Sequence, residues 1–177
     1  MQGVRVRAWV GTIVFLVVTP GVVAGLIPWS ITRWQIPWTG GWASPLVIIG
    51  AVLVAGGIVV LLDAFVRFAR ADGTPAPPMP TKHLVVVGPY RYVRNPMYVA
   101  VLSIILGQAL MFGSWGTLLY GALVLFLVAS FVKLYEEPTL EGEYGDEYRE
   151  YRRHVHAWVP RLRAWSGAAT SKSSRDA

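Results

Sequence analysis

Long apolar runs separated by arginine-bearing segments limit what this chain can fold into more than any other feature. The first run extends from Ala8 to about Trp29, the second from Pro45 to about Val66, the third from Met97 to Phe112, and the fourth from Trp115 to about Tyr135. Roughly 20 apolar residues in a helix cross a hydrocarbon core. Three runs meet that length, and the third, at roughly 16 residues, calls for partial shelter by protein or a thinned bilayer. Hydrophobic residues make up 54% of the 177 positions and the mean hydropathy is +0.48, an apolar excess that a lipid solvent explains most simply. The expected fold is an all-α integral membrane protein with about four transmembrane helices in a single domain over residues 1–165. A small, polar tail over 166–177 is expected to be disordered.

Punctuation within the runs refines this expectation. Val22-Val23-Ala24 resembles a signal-peptide end, but the first run is long for a signal core, so a retained helix is expected. Pro20 and Gly21 predict a bend in it. Gly113 and Ser114 leave room only for a tight turn, which makes the third and fourth runs an antiparallel hairpin. Pro75, Pro77, Pro78 and Pro80 predict a stiff, extended connector. Beyond Pro138, Leu140, Tyr144, Tyr148 and Tyr151 recur at helical spacing among charged residues, the pattern of a short amphipathic helix.

Basic residues orient the chain, because cytoplasmic loops carry the excess of Lys and Arg. Arg5 and Arg7 lie before the first run, and Arg67, Arg70, Lys82, Arg91 and Arg94 lie between the second and third; the C-terminal tail is also basic. The opposite side carries only Arg33, together with Trp29, Trp34, Trp38, Trp42 and Trp115, which read as an interfacial belt. Both termini are therefore expected in the cytosol. The net charge of +6 is spread along membrane flanks rather than gathered on one face, which argues against nucleic acid as a partner. The absence of cysteine excludes thiolate catalysis and zinc-thiolate sites, and His154 and His156 alone are a weak metal signal, so no metal is assigned.

Two polar clusters mark the cytoplasmic boundary: Gly88-Pro89-Tyr90-Arg91-Tyr92-Val93-Arg94-Asn95-Pro96-Met97-Tyr98 before the third run, and Tyr135-Glu136-Glu137-Pro138 after the fourth. A hairpin goes out and back by similar distances, so it returns Arg94 to the neighbourhood of Glu136 and Glu137. Cation and anion side by side suit an amino-acid zwitterion, whose carboxylate Arg94 could grip bidentately and whose ammonium one glutamate could hold. Pro138 disfavours the α conformation of Glu137, and successive helical residues point about 100° apart, so unequal roles are expected for the pair. His83 could act as a general base near neutral pH. Asp63, four residues before Arg67, has the spacing of a local ion pair; should Arg67 turn away, Asp63 could face a substrate headgroup. Gln108 is expected to bond between helices.

These clusters, followed by Tyr144-Gly145-Asp146-Glu147-Tyr148 and Val159-Pro160-Arg161, resemble the isoprenylcysteine carboxyl methyltransferase and phospholipid N-methyltransferase superfamily over about residues 73 to 163. The resemblance implies S-adenosylmethionine as cofactor and a membrane-resident amphiphile as methyl acceptor, either a phospholipid amine or an isoprenylcysteine-like carboxylate. It implies cofactor contacts at Gly88, Tyr90, Arg94, Asn95, Tyr98 and Glu136. Catalytic work falls to Glu137 and His83, since an ammonium acceptor must lose a proton before it can attack. Asn95 stands where many isoprenylcysteine-type members have His. The alternatives are a nicotinamide-dependent membrane reductase, because steroid and sterol reductases resemble this superfamily in their C-terminal region, and a non-enzymatic membrane scaffold. The topology is testable without background labelling, since native cysteine is absent. A cysteine introduced at Thr74 is expected to react only from the cytosolic side, and labelling of intact cells from outside would overturn the orientation.

Overall fold

The computed structural model describes residues 20–37, 44–70, 84 and 86–166, with side chains at 68–70 excepted. The first part of the first run, Arg5 and Arg7, Trp38 and Trp42, the proline-rich connector, His83 and the tail beyond 166 lie outside the described residues. Among the described residues the fold is helical and contains no strand. We label the helices α1 (Gly21–Thr32), α2 (Pro45–Arg70), α3 (Pro96–Met111), α4 (Trp115–Phe131), α5 (Glu137–Tyr144) and α6 (Asp146–His154). Two stretches, Pro45–Arg67 and Trp115–Tyr144, are long and apolar enough to cross a membrane. α1 and α3 are apolar but shorter.

Glycine brings α2 and α3 together. A Cβ on Gly50 would stand 2.5 Å from the Gly107 carbonyl oxygen, one on Gly107 would stand 2.5 Å from the Gly50 carbonyl oxygen, and one on Gly57 would meet the Ala100 carbonyl at 2.8 Å. Residue numbers rise on one helix as they fall on the other, so the pair is antiparallel. One heptad further on, Ala64 and Val93 are both buried. Such backbone approach is how apolar helices associate when lipid removes the hydrophobic drive between them. Leu61, Phe65, Ala100, Ile104 and Ile105 fill the seam, with Ala24 of α1 closing it.

Polar groups inside this apolar bundle are satisfied in pairs, as a medium without water requires. The bend expected near Pro20 takes the form of a π-helical opening of α1, Gly21–Leu26. Within it the Val23 carbonyl accepts from the Tyr120 hydroxyl at 2.9 Å, and the Ala24 carbonyl accepts from Gln108 Nε2 at 2.6 Å. Gln108 Oε1 in turn accepts from Trp34 Nε1 at 3.3 Å, so this glutamine joins α1 and α3 as expected. Gly113, with φ +56°, makes the turn between α3 and α4, and Ser114 Oγ caps α4 by accepting from the Thr117 amide at 3.1 Å.

The expectation that Pro138 draws Glu137 away from helical geometry is corrected. Glu137 is α-helical (φ −62°, ψ −46°), and α4 runs on through a π segment, Val132–Glu136, directly into α5. The widened turn lies just before Pro138, where an α-helical ring would clash with the preceding turn and leave a carbonyl unpaired. The amphipathic C-terminal helix is likewise two helices rather than one, broken at Gly145 (φ +52°). Tyr148 and Tyr151 of α6 are buried with Val155 against Leu140, Tyr144 and Trp165.

The glycine seam can be tested by overpacking. Gly107→Val inserts carbon into a backbone contact and is expected to destabilise the protein by about 1–3 kcal/mol. Gly56→Val, where nothing lies within 4 Å of the added Cβ, should leave the thermal midpoint in detergent unchanged. Equal midpoints for both variants would show that the seam tolerates bulk.

Candidate functional site

The site is assembled where the hairpin returns to its own beginning. Val87 is extended, Gly88 takes a left-handed conformation (φ +56°), and a short 3₁₀ turn, Gly88–Arg91, leads towards α3. A side chain on Gly88 would displace the flexible Arg67 side chain of α2, and it is the positive φ that calls for glycine. Arg94 and Asn95 follow, and Pro96 starts α3 with its fixed φ and missing N–H, both suited to a first helical turn.

Arg94 joins pieces distant in sequence. Its Nη1 donates to Glu137 Oε1 at 2.6 Å and to the Tyr148 hydroxyl at 3.1 Å, while its Nε donates to the Val155 carbonyl at 2.9 Å. The Arg94 and Glu137 side chains are only 12% and 13% exposed. Charge-assisted bonds of this length are among the strong ones, and little water screens them. The second oxygen of Glu137 lies 3.6 Å from Arg152 of α6. Glu136, one residue earlier, points elsewhere and accepts from the Tyr98 hydroxyl at 3.2 Å. The unequal orientation expected of the two glutamates is therefore present, with Glu137 on the arginine.

Tyr90 completes this side of the site. Its phenol is held well above the ordinary value of 10.0, first by burial and then by the nearby Tyr151, Glu136 and Tyr98. The Tyr148 and Tyr151 phenols are also raised, in both cases chiefly by burial and against the opposing pull of Arg94. These phenols remain neutral donors near pH 7. Tyr151 uses its proton on the Tyr90 carbonyl at 2.7 Å.

A C-terminal strap encloses the motif from outside. The amide of Arg94 donates to the His156 carbonyl at 2.9 Å, that of Arg161 to the Tyr92 carbonyl at 2.9 Å, and that of Trp165 to the Arg91 carbonyl at 3.0 Å. Arg91 Nε returns a bond to the Trp165 carbonyl at 2.7 Å. Asn95 belongs to this strap. It is buried, and its Nδ2 donates to the Ala157 carbonyl at 3.2 Å.

Of the residues expected at the site, Tyr90, Arg94, Tyr98, Glu136 and Glu137 are brought together. Gly88 faces Arg67, Asn95 turns towards Ala157, and His83 is outside the described residues. Sequence reasoning missed Tyr148, Arg152 and the Val155 carbonyl as partners of the cluster. Two tyrosines at i, i+3 in an otherwise charged helix were the available signal for Tyr148; a backbone carbonyl has none.

Comparison with known proteins agrees with this arrangement of motifs. The phospholipid methyltransferase family matches residues 45–147. The protein-S-isoprenylcysteine O-methyltransferase of Schizosaccharomyces pombe is 37% identical over 79 residues, which is 44% of this chain and 34% of that protein. The cobalt-zinc-cadmium resistance protein CzcN of Cupriavidus metallidurans is 32% identical over 135 residues, 75% of this chain and 58% of that protein. The chain thus aligns with between about a third and three fifths of the length of these relatives. No solved structure matches it. The family match covers more than half of the chain and takes in the Arg94 motif, the hairpin and both glutamates, so the chain belongs to the phospholipid methyltransferase family, within the superfamily that includes the isoprenylcysteine carboxyl methyltransferases.

Proposed function

We propose that this protein transfers a methyl group from S-adenosylmethionine to an amphiphile resident in the membrane, a phospholipid amine or an isoprenylcysteine-like carboxylate. The observation that carries the reading is the division of labour between adjacent carboxylates: Glu137 is engaged by Arg94, while Glu136 has, among the described residues, Tyr98 on one oxygen. Family membership supports the same chemistry.

In this reading Glu136 holds the cofactor ammonium, and Tyr98 fixes the orientation of that carboxylate. Arg94 offers the cofactor carboxylate its Nη2 rather than a whole fork, because Nε and Nη1 are already engaged. Tyr90 walls the site, and Gly88 and Asn95 shape its backbone. Glu137 lies between Arg94 and Arg152, so we assign it to positioning Arg94 rather than to taking a proton. For an amine acceptor, proton removal then falls to His83. The bound cofactor supplies an electrophilic methyl; the protein orients the acceptor in line and keeps water away, effects worth up to roughly 7–11 kcal/mol in favourable intramolecular reactions. Four membrane crossings with both termini in the cytosol would admit the cofactor from the cytosol and the acceptor from the bilayer.

Binding and turnover separate the roles. Isothermal titration of the detergent-purified protein with S-adenosylmethionine is expected to show Glu136→Gln weakened about tenfold to a hundredfold, the effect of losing one charge-assisted bond of about 1.5–3 kcal/mol. Glu137→Gln should instead lower the thermal midpoint, by roughly 1–3 kcal/mol in stability, because it removes the anion from a nearly buried Arg94. Wild-type protein that binds NADPH and not S-adenosylmethionine would establish the reductase alternative. Protein that binds neither would leave the scaffold.

A further inference from the structure

α3 is too short for the membrane that its neighbour fits. It has 16 residues, about 24 Å at 1.5 Å per residue, against a hydrocarbon core about 30 Å thick. From Trp115 through the π segment to Tyr135 the next helix rises about 30 Å, and the turn at Gly113 sets it antiparallel to α3. Equal rises from that turn bring α4 level with Pro96 at about Phe131. Leu134 and Tyr135, 77% and 53% exposed, therefore present apolar surface about one turn beyond the start of α3. At that depth α3 has given way to Tyr92, Arg94 and Asn95 and to the C-terminal strap bonded to them.

The strap carries apolar surface of the same kind. Val159 is 66% exposed and Leu162 fully exposed, and Tyr92, whose carbonyl accepts from the Arg161 amide, is 41% exposed. Their depth is fixed by the bond from Asn95 Nδ2 to the Ala157 carbonyl, made by the residue that directly precedes α3. A single exposed apolar side chain is ordinary on any protein surface. Here several lie on two bonded segments at the level where Leu134 still faces outward. Arg163 is exposed beside Leu162, and Lys133 beside Leu134, so each has a long cation able to reach lipid headgroups while its stem stays among apolar groups. The strap is irregular, and irregular backbone is not exposed to hydrocarbon, which sets it in the interface where water can satisfy its remaining polar groups.

We propose that the C-terminal strap is an interfacial membrane anchor, with Val159 and Leu162 set among the upper acyl chains and Arg163 at the lipid phosphates. The occupant of this surface is the bulk bilayer. Continuity with the outward face of α4 selects it, as does the alternation of apolar and cationic side chains. Amphipathic segments sink about 5–10 Å into the boundary between headgroups and acyl chains, which spans the height that α3 leaves uncovered. Seated there, the strap keeps its backbone bonds to Arg91, Tyr92 and Arg94 at the membrane surface. The anchor needs neither methyl donor nor acceptor and stands apart from the transfer reaction proposed above.

The absence of native cysteine allows a depth measurement on the full-length protein. Leu162→Cys, Val159→Cys and, as a polar exposed reference on α5, Glu143→Cys are each labelled with the thiol-reactive fluorophore NBD. The labelled proteins are placed in nanodiscs of phosphatidylcholine and phosphatidylglycerol, whose two faces both meet the solvent. At positions 159 and 162 the emission is expected to shift to shorter wavelength than at 143 and to lose its quenching by aqueous iodide. Nitroxide on the lipid chains should quench both, more strongly when carried near the glycerol end than near the chain terminus. All three side chains are exposed, so the unlabelled variants should unfold at the wild-type midpoint. Iodide quenching at 159 and 162 equal to that at 143 would place the strap in water and overturn the anchor. Protection from iodide without quenching by lipid nitroxide would overturn it as well, since the strap would then be covered by protein.

Discussion

Much of one end of this bundle depends on one guanidinium. Arg94 reaches α5 through Glu137, α6 through Tyr148 and the C-terminal strap through the Val155 carbonyl, so a single side chain fixes three segments that the chain visits at different times. A nearly buried charge is tolerated only when its donors are satisfied, because desolvation otherwise costs several kcal/mol. Here Nε and Nη1 are both engaged, and Glu137 is opposed by a second cation, Arg152. The cluster is a network whose members lose their partners together, rather than a set of separable contacts.

The helices deliver those groups to one place by two devices. Close glycine packing between α2 and α3 fixes the register of the bundle, and the tight turn at Gly113 returns α4 alongside α3. The π segment over Val132–Glu136 then widens the helix up to the first glutamate, and the helix continues through Pro138. Consecutive α-helical residues diverge by about 100°. Glu136 and Glu137 consequently reach different partners, Tyr98 and Arg94, although they are adjacent in the chain.

Residue type and spacing made much of this legible in advance. The apolar runs foretold α2, α3 and α4; Gly113-Ser114 foretold the turn; and the hairpin argument put Arg94 beside the glutamates. Asp63 with Arg67 and Gln108 with α1 followed from helical spacing and from the cost of unpaired polar groups in an apolar bundle. The strap was invisible because its bonds to Tyr92, Arg91 and Arg94 are formed by backbone groups, which every residue carries and no side chain advertises. Pro138 misled for another reason. The rule for a residue before proline is a preference rather than a prohibition, and Glu137 keeps helical dihedral angles while the π turn relieves the clash of the Pro138 ring with the preceding turn. The bond of Asn95 to the strap was equally hidden, because it depends on a distant loop rather than on the motif around it.

Exposure distinguishes the two arginine–carboxylate pairs, Arg94–Glu137 and Arg67–Asp63. Arg94 and Glu137 are almost enclosed, and a ligand seeking the whole Arg94 fork would have to displace a bond of 2.6 Å and leave Glu137 facing Arg152 alone. Their bonding favours holding the fold in shape over gripping a ligand with both arms. Asp63 and Arg67 are as close to one another but remain open to their surroundings, with one carboxylate oxygen and two guanidinium nitrogens uncommitted among the described residues. Glu136 resembles this second class, since only one of its oxygens is engaged by Tyr98. A group can recruit a ligand only with hydrogen-bonding capacity that the fold has not already used. Among the described residues such capacity remains on Glu136 and on the Asp63–Arg67 pair, whereas Arg94 is committed chiefly to the fold.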